Sequence, residues 1–294
     1  MLLIMPSVSA NGIEIEYEVG GTGPPLLMVM GLGGQLTDWP QQLVDRLHEH
    51  FTVITFDNRD AGLSTAFAEF HPRRSDFVKA AIWPSLADLP YNLADMATDA
   101  ASLLQRLGIK RAHVLGMSMG GMIAQRLAID HPDRVQTLTS IMSTTGSRFS
   151  GRPTFAVMRK LATRGEPARS DALETMMSFF RLVGGPDWDP DDQRTRTAHS
   201  LDRAYNPGGV LRQALAIAAS RDRTKALSKL ELPVLVMHGL DDNLVRPSGG
   251  RATAAAITDS RLILFPHMGH DLSATRHAEM VQEIRQLTAA LAGH

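Results

Sequence analysis

Gly116-Met117-Ser118-Met119-Gly120 sets a serine between glycines two residues away on either side. The apolar run Ala112-His113-Val114-Leu115 leads into it, and a stretch of helical period from Met119 to Asp130 leads out. On such a strand-to-helix turn the serine backbone is strained, and a side chain at either glycine would collide with the neighbouring turn. The hydroxyl then stands at the N-terminal end of the helix, where free N–H groups and the helix dipole favour negative charge developing on an attacked carbonyl. A glycine-rich turn with an incidental serine is the plainer reading. The strand before, the helix after and the further small residue Gly121 argue against it.

A serine is a weak nucleophile without a base, and an imidazole base needs an acid to fix its tautomer. After an elbow of this kind the acid and then the histidine follow in chain order, each on a loop behind a later strand. Gly239-Leu240-Asp241-Asp242 follows the apolar run Pro233–His238, and Pro266-His267-Met268-Gly269-His270-Asp271 follows Arg261–Phe265. The offset from Gly239 favours Asp242 as the acid and leaves Asp241 as a turn or cap residue. Gly269 before His270 favours that histidine as the base, with His267 a structural loop residue. His238 packs or hydrogen-bonds near the acid loop in this reading. The other place for an acid, Ser143-Thr144-Thr145-Gly146-Ser147, holds no carboxylate.

Acyl chemistry also needs backbone donors where the tetrahedral oxyanion forms. One is the N–H of Met119. The other is assigned to Leu32 in Gly31-Leu32-Gly33-Gly34, where glycines let the backbone approach a substrate closely. This loop lacks the third glycine of G-x-G-x-x-G and no Walker lysine follows, so a dinucleotide or phosphate cradle is disfavoured.

The elements that must hold these loops alternate in type. Ile13–Val19 alternates with period two, as a strand with one solvated face does. Pro25–Met30, Phe51–Phe56, Ala112–Gly116 and Val135–Met142 read as buried strands, with helices expected over Trp39–His48, Asn92–Leu107 and Met119–Asp130. The pattern implies a mostly parallel sheet with helices on both faces. It breaks near Ser143 and resumes at Leu232, and a helix over His277–Ala292 closes the chain. The expected organisation is one α/β core, residues 1–143 and 232–294, interrupted by a helical insertion over 144–231.

The loop residues Met30-Gly31-Leu32-Gly33-Gly34, the turn Phe56-Asp57-Asn58-Arg59-Asp60-Ala61-Gly62-Leu63-Ser64, the Ser118 elbow, Gly239-Leu240-Asp241-Asp242 and Gly269-His270 together resemble the serine α/β-hydrolase superfamily over essentially the whole chain. Met30-Gly31 in place of His-Gly, and Asn58-Arg59-Asp60 in place of a His-Arg-Gly-like stretch, look most like the branch holding bacterial carboxylesterases and aclacinomycin methylesterase-like proteins. The resemblance implies the α/β-hydrolase fold with 144–231 as a lid, and Asp57 and Arg59 as structural hydrogen-bonders. Related epoxide hydrolases and haloalkane dehalogenases need a carboxylate nucleophile, which a serine cannot replace.

The expected function is hydrolysis of small to medium apolar carboxylic esters through an acyl-enzyme, with water as the second substrate. A carbon–carbon bond hydrolase with the same three residues, or a slow hydrolase-fold ligand receptor, are the alternatives. Gly31, Leu32, Met119, Leu244 and Met268 are expected to line the pocket. Of the lid's apolar residues Phe149, Phe155, Met158, Met176, Met177, Phe179, Phe180, Leu182 and Trp188, most should pack and a minority face substrate. Neither a cofactor nor a metal is expected: there are no cysteines, and the histidines lack ligand spacing. Thirty Lys+Arg balance 31 Asp+Glu in 294 residues, which disfavours nucleic acid and membrane surfaces. The apolar start Met1–Pro6 is too short for a signal core, so a soluble, cytoplasmic protein is expected.

Overall fold

The computed structural model describes residues 6–84, 87–162 and 167–289. The start Met1–Met5, residues 163–166 of the expected insertion and the last part of the helix expected to reach Ala292 lie outside them. Eight strands form one sheet: β1 Ser7–Ala10, β2 Ile13–Gly20, β3 Pro25–Val29, β4 Thr52–Phe56, β5 Ala112–Met117, β6 Val135–Ile141, β7 Val234–Gly239 and β8 Ser260–Phe265. Their order is β1-β2-β4-β3-β5-β6-β7-β8. The β1–β2 and β2–β4 pairs are antiparallel, and the six strands from β4 to β8 in that order are parallel. This is the α/β-hydrolase fold the sequence implied.

Uniformly apolar strands are needed because both faces of the sheet are covered. In β3, Leu27 and Val29 pack on one side with Met96, Leu103 and Leu104 of α3 (Leu93–Arg106) and Ile123 and Leu127 of α4 (Met119–Asp130). Leu26 and Met28 point the other way, against Leu43 and Leu47 of α1 (Gln41–His48) and Met280 and Ile284 of α11 (His277–Ala289). Helix α1 starts two residues later than Trp39, behind Pro40. Asn92 is the N-cap of α3, its side-chain oxygen accepting from the amides of Ala94 and Asp95.

Outside the insertion, three elements have no counterpart in the sequence pattern: β1 (Ser7–Ala10), α2 (Arg74–Ile82) and α10 (Ser248–Ala256). Between β6 and β7 lie α5 (Phe155–Ala162), α6 (Ala172–Val183), α7 (Pro190–Arg203), α8 (Pro207–Ala218) and the single turn α9 (Thr224–Leu227). Met177 is buried and Met176, Phe179, Phe180, Leu182 and Trp188 are partly so. Phe149, Phe155 and Met158 depart from the expected packing and face solvent. Helix α5 buries the face that carries Val157, so the residues opposite it are left outside. Among the described residues, no helix is long and apolar enough to cross a membrane.

Parallel pairing brings the C-terminal ends of β3, β5, β7 and β8 to one edge of the sheet, where open α/β sheets hold their ligands. Val29 lies opposite Gly116, Met117 opposite Ile141, and Gly239 opposite Phe265. The loops that follow these strands hold Leu32, Ser118, Asp242 and His270.

Candidate active site

Ser118 sits between β5 and α4 with φ 56° and ψ −119°, a left-handed backbone that non-glycine residues seldom adopt. Neighbours hold it there. Its N–H donates to the Ile141 carbonyl at 2.9 Å, and its own carbonyl accepts from the Ser143 hydroxyl at 2.8 Å. The two elbow glycines are required by close approach. A Cβ on Gly120 would lie 2.0 Å from the Val29 carbonyl oxygen, and one on Gly116 would lie 2.2 Å from that of Gly120.

The Ser118 hydroxyl lies 2.9 Å from His270 Nε2, and His270 Nδ1 lies 2.7 Å from Asp242 Oδ2. The other Asp242 oxygen accepts from the amides of Leu244 and Val245 at 2.9 and 2.8 Å. Burial pushes the Asp242 carboxyl up, but His270 and His238 beside it together hold it below its ordinary value. It is a fixed anion facing the imidazole. With Nδ1–H donating to that carboxylate, Nε2 is free to accept the serine proton.

The neighbouring candidates fall elsewhere. Asp241 is exposed, and its Oδ2 accepts from the amide of His267 at 3.1 Å. His267 has φ 64° and serves the turn. His238 is wholly buried, and its Nε2 donates to the Val245 carbonyl at 2.6 Å, so the proton is on that nitrogen. It lies 3.4 Å from Asp242 Oδ2 and does not reach Ser118.

Gly31 brings the loop after β3 against the serine: a Cβ there would be 3.8 Å from Ser118 Oγ. Among the described residues, neither the Leu32 nor the Met119 amide has a hydrogen-bond acceptor. Both amides are thus unengaged, Leu32's in the loop after β3 and Met119's at the first position of α4. The Leu32 side chain is exposed and that of Leu244 partly buried, while Met119 is wholly buried beside the elbow. Met268 is wholly buried too, packed in the core with Phe265 and Met280. An open cleft of about 610 Å³ lies behind the acid, between Thr154, Gly184 and Arg246, and Ser118 does not line it.

Several contacts around the site join residues too distant in sequence for pattern reading. The His270 amide donates to the Val183 carbonyl at 2.7 Å, and the Gly185 amide donates to Asp271 Oδ1 at 2.8 Å. Gly185 and Gly269 cross so closely that a Cβ on either would lie 2.3 Å from the other's nitrogen. Asp57 accepts from the amides of Leu36 and Leu63 and pairs with Arg203, and Arg59 pairs with Asp99 through two bonds of 2.6 Å. Among the described residues, no group of three His, Asp or Glu side chains is placed to hold a metal ion.

Residues 24–276 match the sequence model of the alpha/beta hydrolase fold, and the chain belongs to that family. It is 28% identical to rhodomycin D methylesterase DauP of Streptomyces sp. strain C5, over 97% of this chain and 99% of that one. The enol-lactonase of Burkholderia xenovorans LB400 shares the fold with a TM-score of 0.70 at 24% identity, covering 97% of this chain and all of its own. The esterase RhEst1 of Rhodococcus sp. ECU1013 shares it with a TM-score of 0.74 at 22% identity, covering 97% and 98%.

Proposed function

We infer that the protein is a serine carboxylic-ester hydrolase acting on small to medium apolar esters. The observation that carries this reading is the unbroken line from Ser118 Oγ through His270 to Asp242; the unengaged amides of Leu32 and Met119 are the donors it needs. The similarity to a methylesterase along nearly the whole of both chains agrees with it.

In the proposed reaction His270 Nε2 takes the Ser118 proton as Oγ bonds to the ester carbon. The carbonyl oxygen becomes an oxyanion held by the amides of Leu32 and Met119. The C–O bond to the alcohol then breaks, and the imidazolium gives its proton to the departing oxygen. Water, its proton taken by His270, attacks the acyl-serine, and collapse releases the acid and returns the proton to Ser118. Asp242 holds the imidazole in register throughout. Gly31, Leu32, Met119 and Leu244 stand beside the reacting carbon, with Met268 backing the wall, and residues 144–231 act as the lid. Every proton and charge is handled by the chain's own groups, so no metal or organic cofactor enters. The cysteine-free composition favours a cytoplasmic setting for it.

The test is rapid quenching of p-nitrophenyl butyrate turnover followed by peptide mass analysis. A butyryl adduct is expected on Ser118, with repeated turnover after it. Ser118→Ala should lose on the order of 10⁶ in kcat, as other serine hydrolases do when the nucleophile is removed. An adduct on another residue, or turnover that survives Ser118→Ala, would overturn the reading. A single slow acylation without turnover would favour a ligand receptor.

A further inference from the structure

The Gly31–Gly34 loop is a tight turn, closed by the Gly34 amide donating to the Gly31 carbonyl at 3.2 Å. Gly33 has φ 69°, as the third residue of a type II turn requires. The amide of Gly33 is not satisfied by the core. It donates at 2.7 Å to Oε1 of Gln213, a residue of α8 in the stretch between β6 and β7.

Gln213 is wholly buried, and its other end is also used: Nε2 donates at 2.8 Å to the carbonyl of Arg59. The orientation of this side-chain amide follows from chemistry, because a backbone N–H can only donate and a carbonyl can only accept. Both partners are themselves fixed. Arg59 is locked by its ion pair with Asp99. Helix α8 is pinned one residue earlier, where Arg212 donates to both oxygens of Asp60 at 2.8 and 2.7 Å. A buried side chain thus bridges the loop after β4 to the turn after β3.

We propose that Gln213 is a positioning residue for the oxyanion site: by fixing the Gly33 amide it holds the Leu32 amide, one residue before, where the carbonyl oxygen develops charge. The proposal rests on the serine-esterase reading and deepens it. Part of the oxyanion site is then set by the helices over the sheet edge. Oxyanion donors act through preorganised geometry, and a donor free to drift must be repositioned at the moment of reaction.

The experiment compares wild type, Gln213→Met and Gln213→Glu on p-nitrophenyl butyrate and its thiono analogue, in which sulfur replaces the carbonyl oxygen. Sulfur accepts hydrogen bonds poorly, so the thiono ester makes little use of the oxyanion donors. Gln213→Met should lower kcat on the oxygen ester by roughly 10- to 100-fold, less than the loss of a whole donor, with KM nearly unchanged. The oxygen-to-sulfur rate ratio should fall by a similar factor. Gln213→Glu keeps an acceptor for Gly33 and should fall between. Unchanged kcat, or equal losses on both esters, would show that Gln213 only fastens the helix and would overturn the proposal. If Gln213→Met does not fold, the ratio in Gln213→Glu decides the matter in the same way. The Ser118→Ala control separates the two claims. Turnover independent of Ser118 overturns the esterase reading and this proposal together, whereas Ser118-dependent turnover with an unaltered ratio overturns this proposal alone.

Discussion

In the sheet, Leu27, Met28, Ile54, Leu115, Leu138 and Leu235 are wholly removed from solvent, whereas beyond β6 Phe149 is 93% and Phe155 77% exposed. Polar side chains bind the second region to the first. Arg203 reaches Asp57, Arg212 reaches Asp60, Arg223 donates to Gln125, and Gln213 spans Arg59 and Gly33. Apolar burial is non-directional and tolerates rearrangement, while a bidentate guanidinium–carboxylate pair specifies one geometry. The helices beyond β6, which also bury Val157, Met177, Val183, Leu215 and Ala216, are therefore held in direction by these pairs as well as by area. That suits the positioning role proposed for Gln213.

The largest effect that would sharpen this contrast lies in the acid loop, where two adjacent carboxylates differ in burial and in what they face. Asp242→Asn should cost roughly 10⁴ in kcat, because the asparagine amide no longer holds His270 in the tautomer that accepts the serine proton. Asp241→Asn should leave kcat within a few-fold, since that side chain serves the His267 amide. Steady-state ester kinetics on the two variants give the ranking, and a reversed order would move the acid by one residue.

The next effect tests the polar fastening. Arg212→Met leaves Asp60 buried without its guanidinium and should cost about 3–5 kcal/mol by urea unfolding. Asp60→Asn added to it removes the stranded charge and should recover part of that loss. Leu115→Ala in the sheet should cost a similar 2–5 kcal/mol through a cavity, with no comparable rescue by a neighbouring charge change. If Arg212→Met stayed within 1 kcal/mol of wild type, the distinction between the regions would collapse. The smallest effect is at the solvent face: Phe155→Ser should change stability by no more than about 0.5 kcal/mol. A loss above 2 kcal/mol would place Phe155 in packed contact.

The strands and the site loops could be read from the sequence because their signals are local. Runs such as Leu26–Val29 need only a few neighbours to declare a buried strand, and the elbow motif spans five residues. Edge strand β1 (Ser7–Ala10) is too short and too polar to stand out beside its partner. Helix α10 opens Ser248-Gly249-Gly250, a composition that hides it in a loop until packing is known. The role of Gln213 was not legible at all. Its partners lie 180 and 154 positions away, and nothing beside it in α8 marks it as different from a solvated glutamine. Phe149 and Phe155 show the reverse: apolar composition announced burial that the fold does not provide.

The crossing of Gly185 and Gly269 bears on how such proteins can be recombined. The stretch between β6 and β7 looks like an interchangeable part, since it enters and leaves at neighbouring strands of the sheet. Yet its backbone at 183–187 is laced to the histidine loop by the His270–Val183, Gly185–Asp271 and Asp187–His267 hydrogen bonds. A chimera carrying a foreign stretch with any side chain at position 185 would push the peptide at 269, and the imidazole after it, off the line to Ser118. Grafts that keep the bare backbone at both positions leave the His270 loop in place; grafts that add a side chain at either must shift it.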